Sequence, residues 1–216
     1  MGRVLHAQAC ALLVLASLSS ATSAGAVDGI DASHGRIDGD LSGSAAVGAT
    51  FGPQGPRAAA DLRLRYLWTA GVFVTYEDGP LFGGRTDPRR AFAAGIELRP
   101  LFLARWLQGL ESGNAYLDLT VDSLSLELGA VFLEPPGASF GSKPGLQAGL
   151  GLQFPIFPDA TGPTLGLHGG ARWSDAALSG HTIDGPSDRA LFLLVTLGWQ
   201  QVFGGNVVDL GDRAPR

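Results

Sequence analysis

Along most of this chain, residues of one parity are apolar and residues of the other are polar. Leu62, Leu64, Tyr66 and Trp68 share one parity, and Asp61, Arg63 and Arg65 occupy the other. A period of two is that of a β-strand with one face in an apolar medium and the other in a polar one. The same alternation recurs in segment after segment, so the chain is read as all-β.

Composition then narrows the class of β-protein. The 216 residues make one domain by length, and only 16% of them are charged. Mean hydropathy is +0.19. The one long apolar run, residues 9–18, lies at the N-terminus. Hydrophobicity elsewhere is thin and alternating, not gathered into the ~20-residue spans of membrane helices. That distribution predicts a transmembrane β-barrel. Residues 1–26 read as a secretion signal: Arg3 supplies the positive start, residues 10–18 the apolar stretch, and Ala24, Gly25 and Ala26 a small-residue cleavage site after Ala26. Cys10 precedes most of that stretch, so lipidation is not expected, and as the only cysteine it leaves the exported chain without disulfides. The formal charge is −5, one unit more negative once Arg3 is removed, which argues against a nucleic-acid partner.

Ile37, Leu41, Ala45, Val47, Ala49 and Phe51 mark a first strand, broken by the Gly- and Pro-rich residues 52–56. From Ala60 to Asp78 the even positions stay apolar through Val72, Val74 and Tyr76. One strand of that length would span ~60 Å. Either it projects far beyond a bilayer, or a three-residue turn at Leu67, Trp68 and Thr69 divides it while keeping parity. Phe92, Ala94, Ile96 and Leu98 form another strand, after which Phe102, Leu103, Trp106, Leu107 and Leu110 suit a short helix over 101–111 at the barrel rim. Leu117, Leu119 and Val121 are odd, whereas Leu124, Leu126 and Leu128 are even. A hairpin or bulge at Asp122 and Ser123 accounts for such a flip between two strands. Later strands cover 146–154, 165–173 and 190–203, with loops at 79–89, 134–144, 157–163 and 174–188.

The expected fold is a closed antiparallel up-and-down transmembrane barrel of eight strands, with ten as the fallback count, because single-chain bacterial barrels have even numbers. Residues 1–26 are the signal, 27–203 the barrel and 204–216 a tail. The alternating strands and the final segment 193–203, Leu-Leu-Val-Thr-Leu-Gly-Trp-Gln-Gln-Val-Phe, resemble the small outer-membrane β-barrel proteins of Gram-negative bacteria. In that family the last strand usually ends in an aromatic residue, a feature resembling what the barrel-assembly machinery reads; here Phe203 is followed by Gly204 to Arg216. The resemblance implies an outer-membrane location, with membrane lipid and the assembly machinery as partners. It implies no activity.

With the apolar parity toward lipid, Asp38, Asp40, Asp61, Arg63, Arg65, Glu97, Arg99, Asp118, Glu127, Gln147, Gln153, His168 and Arg172 would point inward. An eight-stranded barrel is just filled by its side chains, and buried charges must pair. The leading expectation is therefore a charge network of Asp61, Arg63, Arg65, Glu97, Arg99, Asp118, Glu127, His168 and Arg172 plugging the lumen. Its function would be structural, or surface interaction through loops whose partner the sequence does not name. The same residues lining a narrow channel is one alternative. A second is a lipid A-modifying hydrolase with His168 as base near Ser174 or Ser42, assisted by Glu97 or Glu127. A third inverts the faces, giving a secreted soluble barrel with its apolar parity inside. No residues in metal-ligand spacing, no cofactor motif and no catalytic set stand out. Trp68, Trp106, Trp173, Trp199, Tyr66, Tyr76 and Tyr116 are candidates for interfacial girdles.

Overall fold

The computed structural model describes residues 34–205 except 54, 85, 136, 138 and 181–188. The expected signal, most of the tail and much of the last loop therefore lie outside the described residues. In chain order the elements are β1 (Leu41–Gly52), β2 (Gly55–Tyr66), β3 (Ala70–Asp78), β4 (Arg90–Leu98), α1 (Leu101–Leu107), α2 (Ala115–Asp122), β5 (Ser125–Glu134), β6 (Gly145–Pro155), β7 (Gly162–Trp173), α3 (Asp175–Leu178) and β8 (Arg189–Phe203). Each strand pairs antiparallel with its neighbour in sequence, and β1 closes on β8 with Leu41 opposite Phe203, so the eight strands form a closed barrel. Closure leaves no unpaired strand edge. The even count brings both ends of the barrel chain to one rim, here the terminal end. The opposite rim, the loop end, is where β1, β3, β5 and β7 finish and β2, β4, β6 and β8 begin.

The faces take one sense throughout. Leu62, Leu64, Val72, Ile96, Leu126, Leu128, Leu150 and Leu197 point outward and are each about half exposed, while Asp61, Arg63, Arg65, Glu97, Glu127, His168 and Arg172 are buried inside. The inverted arrangement, apolar side in, is not the one adopted.

The long alternating stretch is divided as the shorter alternative required. Leu67 and Trp68 both have left-handed backbones, with φ of 45° and 58°, and Thr69 N donates to Tyr66 O at 3.0 Å. Two successive positive φ values make a hairpin turn whose twist matches its strands. Tyr66 and Ala70 end up opposed, so parity survives the turn. Trp68 does not: it folds inward, buried with Phe102, Leu119, Ala160 and Val202, and so leaves the girdle expected for it.

Two further expectations meet different fates. The rim helix forms, as α1. Leu117, Leu119 and Val121 belong to α2 and not to a strand, so the parity flip at Asp122 and Ser123 is the end of a helix and not a hairpin or bulge. Asn114 caps α2 by accepting from Leu117 N at 3.3 Å, and Asp118 accepts from the amides of Ser112 and Gly113 at 2.9 and 3.0 Å. The Asn114 bond supplies a partner for an amide that the helix start leaves open, and the two Asp118 bonds fix the turn that leads into the helix. Among the described residues, no helix is long and apolar enough to cross a membrane.

Candidate functional site

The inward side chains fall into tiers along the barrel axis. Nearest the loop end, Glu77 is wholly buried, accepting from Arg57 Nε at 2.9 Å and from both terminal nitrogens of Arg172 at 2.9 and 2.6 Å. Arg172 Nε donates to Gln147 at 2.7 Å, and its guanidinium lies 4.2 Å over the Phe192 ring. Phe73, Ala93 and Val131 then form an apolar layer.

Toward the terminal end lies the larger polar tier, centred on Arg63. Its guanidinium donates to Asp61 at 2.7 and 3.1 Å, to Glu97 at 2.6 Å and to Glu127 at 2.5 Å. Arg65 donates to Glu97 from its Nε and to Ser44 and Gln200 at 3.3 Å. Arg99 donates to Gln153 at 2.6 Å and lies 5.0 Å over Trp68. β3 lies between β2 and β4, so Arg63 and Asp61, pointing inward from β2, meet inside the barrel Glu97 on β4 and Glu127 on β5, which sit opposite each other in register. The two glutamates are thus held by arginine rather than left as an acid and base pair. Burial of so many charges is tolerable only because each has an opposite partner.

His168 stands beside this tier. Its Nδ1 is 2.7 Å from Glu127 Oε1, and Ser125 Oγ lies 3.4 Å from the same oxygen. Gly151 and Gly166 make the niche: a Cβ on Gly151 would come within 2.5 Å of His168 Nδ1 and 2.4 Å of Ser125 Oγ, and one on Gly166 within 2.4 Å of Thr196 Oγ1. Among the described residues His168 Nε2 has no hydrogen-bond partner, so neither Ser42 nor Ser174 is bonded to it. Ser174 instead caps α3 through Ala177 N at 3.1 Å. A histidine base needs its nucleophile within hydrogen-bond reach, and that contact is not made.

The terminal end is closed by packing and then by charge. Trp68, Phe102, Leu119, Ala160 and Val202 form an apolar layer, and a cavity of about 10 Å³ among Trp68, Leu119, Gln153 and Gln200 has room for about one water. Outside it, Asp118 and Asp122 lie one helical turn apart on the inner face of α2. Arg105 donates to each at 2.6 Å, and Arg36, from the segment before β1, donates to Asp122 and Glu111. Burial alone would push the Asp118 carboxyl up. The Ser112 amide and the Arg105 guanidinium outweigh it and hold the group at about 2.

Of the residues read from sequence as a network, Asp61, Arg63, Arg65, Glu97, Glu127 and His168 meet in one tier, with Arg99 at its edge. Arg172 belongs to the loop-end tier, and Asp118 to the charged cap on a helix. Asp38 is exposed in the turn before β1 and does not reach the lumen. Sequence reading overlooked Arg57, Glu77, Arg36 and Asp122. Glu77 carried a usable signal, since it shares the odd parity of Asp61 and Arg63.

No family model matches the chain, and no curated protein matches it. Among solved structures it is similar to Ail, the attachment invasion locus protein of Yersinia pestis, in a complex with the heparin analogue sucrose octasulfate. The identity is 12%, the TM-score 0.35, and the match covers 74% of this chain and 97% of that one.

Proposed function

We propose that this is a sealed outer-membrane β-barrel, without catalytic activity, that presents its loop end to the cell exterior as an interaction surface. The observation that carries the reading is the sense of its faces. Apolar side chains cover the outside while the charges are paired inside, which is the arrangement that hydrocarbon around the barrel and a filled core both favour. Strands of 9 to 15 residues are long enough to span a bilayer when tilted. Support for a sealed barrel over a narrow channel comes from the two charged tiers, the apolar layers and the cavity beneath the terminal-end cap, which has room for about one water. Support for a surface role comes from the loop end, where Phe82 is 81% exposed and Phe140 and Leu178 are also accessible. Loops held on a rigid scaffold are where contacts usually reside.

Lys143, the only lysine, sits exposed in the loop between β5 and β6 and allows a direct test. A membrane-impermeant amine reagent applied to intact cells is expected to label the protein, and Lys143→Arg to abolish that labelling. Labelling that requires broken cells would reverse the orientation and remove the surface role.

A further inference from the structure

The connection between β4 and β5 is a helical hairpin whose polar and apolar sides are reversed relative to a helix in water. Its charged residues are Arg105, Glu111, Asp118 and Asp122, and all turn inward: side-chain exposures are 17%, 6%, 0% and 0%. They are consumed by one another and by Arg36. What faces away is Trp106, Leu107 and Leu110 on one arm, with Tyr116 and Leu117 on the other, exposed by 37, 73, 60, 49 and 51%, and the polar residues exposed beside them, Gln108, Ser112 and Asn114, are uncharged. A helix at a water boundary keeps its charges outside.

The surroundings say what covers this face. The hairpin begins three residues after Leu98 and returns before Leu126, and these two leucines are register partners, both about half exposed on the outer apolar wall. Along the chain, no exposed charge separates Leu98 or Leu126 on the wall from the exposed apolar residues of the hairpin, because Arg99, Asp118 and Asp122 are buried and Arg105 is turned inward. At the same rim, Ile156 and Phe157 in the turn between β6 and β7 are also exposed. Apolar surface on two separate connections around one rim fits a continuous medium better than a single docked protein.

We propose that the hairpin 101–122 is an interfacial anchor lying in the phospholipid leaflet at the terminal end, with Trp106 and Tyr116 at headgroup depth. The proposal rests on the membrane reading of the barrel. An amphipathic ring is favoured at that depth, and apolar burial of neighbouring leucines adds to it. The charged cap fixes the hairpin's inner side over the barrel mouth, so the anchor and the plug are two faces of one element.

Spin labels at single cysteines can test this in the barrel reconstituted in phospholipid vesicles, in a Cys10→Ser background. Labels at Leu107→Cys and Leu117→Cys are expected to share the high oxygen and low nickel-chelate accessibility of Leu128→Cys on the outer wall, and to differ from Lys143→Cys in the loop. Hairpin labels that behave like Lys143 while Leu128 remains in lipid would overturn the anchor alone. If Leu128 also behaves like Lys143, the membrane reading itself fails. Dipolar broadening between molecules at Leu117 would replace lipid by a second copy of the chain. Should a label prevent folding, quenching by bromine-chain lipids, measured as the difference between wild type and Trp106→Phe, reports the same contact. Absence of any difference overturns the proposal.

Discussion

Glu97 accepts from both Arg63 and Arg65 at a wholly buried position, so neutralising it takes from Arg65 its carboxylate partner among the described residues and leaves Arg63 to Asp61 and Glu127. Breaking a buried pair from one side costs about 3–5 kcal/mol. Glu97→Gln is expected to lose stability on that order, read as a lower urea midpoint for the barrel in lipid vesicles; an unchanged midpoint would contradict the pairing. Asp118 makes a prediction in pH. Its folded value of about 2 lies below the ordinary carboxylate value, so the stability it adds is complete at neutral pH. That contribution is lost as pH falls from about 4 through about 2. Fluorescence of Trp68 and Trp106 should report loosening of the cap in that window, and Asp118→Asn should remove the acid step. Much of the network was legible because odd parity alone places Asp61, Arg63, Arg65 and Glu127 on one face. Arg57 was hidden because β2 begins at Gly55, behind a proline that reads as a break. No local pattern identifies Arg36 as a partner of Asp122, since that contact joins residues 86 positions apart.

At the scale of elements, the β2–β3 turn and α1 lock each other. Trp68 reaches back from the turn to pack on Phe102 and Leu119, and Arg99 covers its ring. Truncating such a buried aromatic costs about 3–5 kcal/mol. Trp68→Ala is therefore expected to lower the midpoint comparably and to loosen α1, seen as faster amide exchange at 102–107 with the strands still protected; equal protection throughout would contradict the packing. Strands were legible because each has one medium on each side, which writes a period of two into the sequence. In α2 that rule misleads. Leu117, Leu119 and Val121 alternate by chance of a helix whose inner face takes Asp118, Leu119 and Asp122 and whose outer face takes Tyr116 and Leu117. What decides for helix is the Asn114 cap and the salt bridges to Arg105, and only the first of these is local.

For the molecule as a whole, eight strands follow once residues 115–122 are removed from the strand count and residues 60–78 are divided. Alternation on its own was symmetric between a membrane barrel and an inverted soluble one. Closure breaks that symmetry: an eight-stranded lumen holds only side chains, and this one holds arginines and carboxylates in pairs. The apolar side chains then have nowhere to go but outward, on every strand. Whether this outer face meets lipid is read from fractionation of cells producing the protein. The barrel is expected to stay in the membrane pellet through high salt and alkaline washing, and to leave it only in detergent, as a folded species whose gel migration shifts on heating. Recovery of the folded barrel in aqueous buffer without detergent would contradict that contact with lipid.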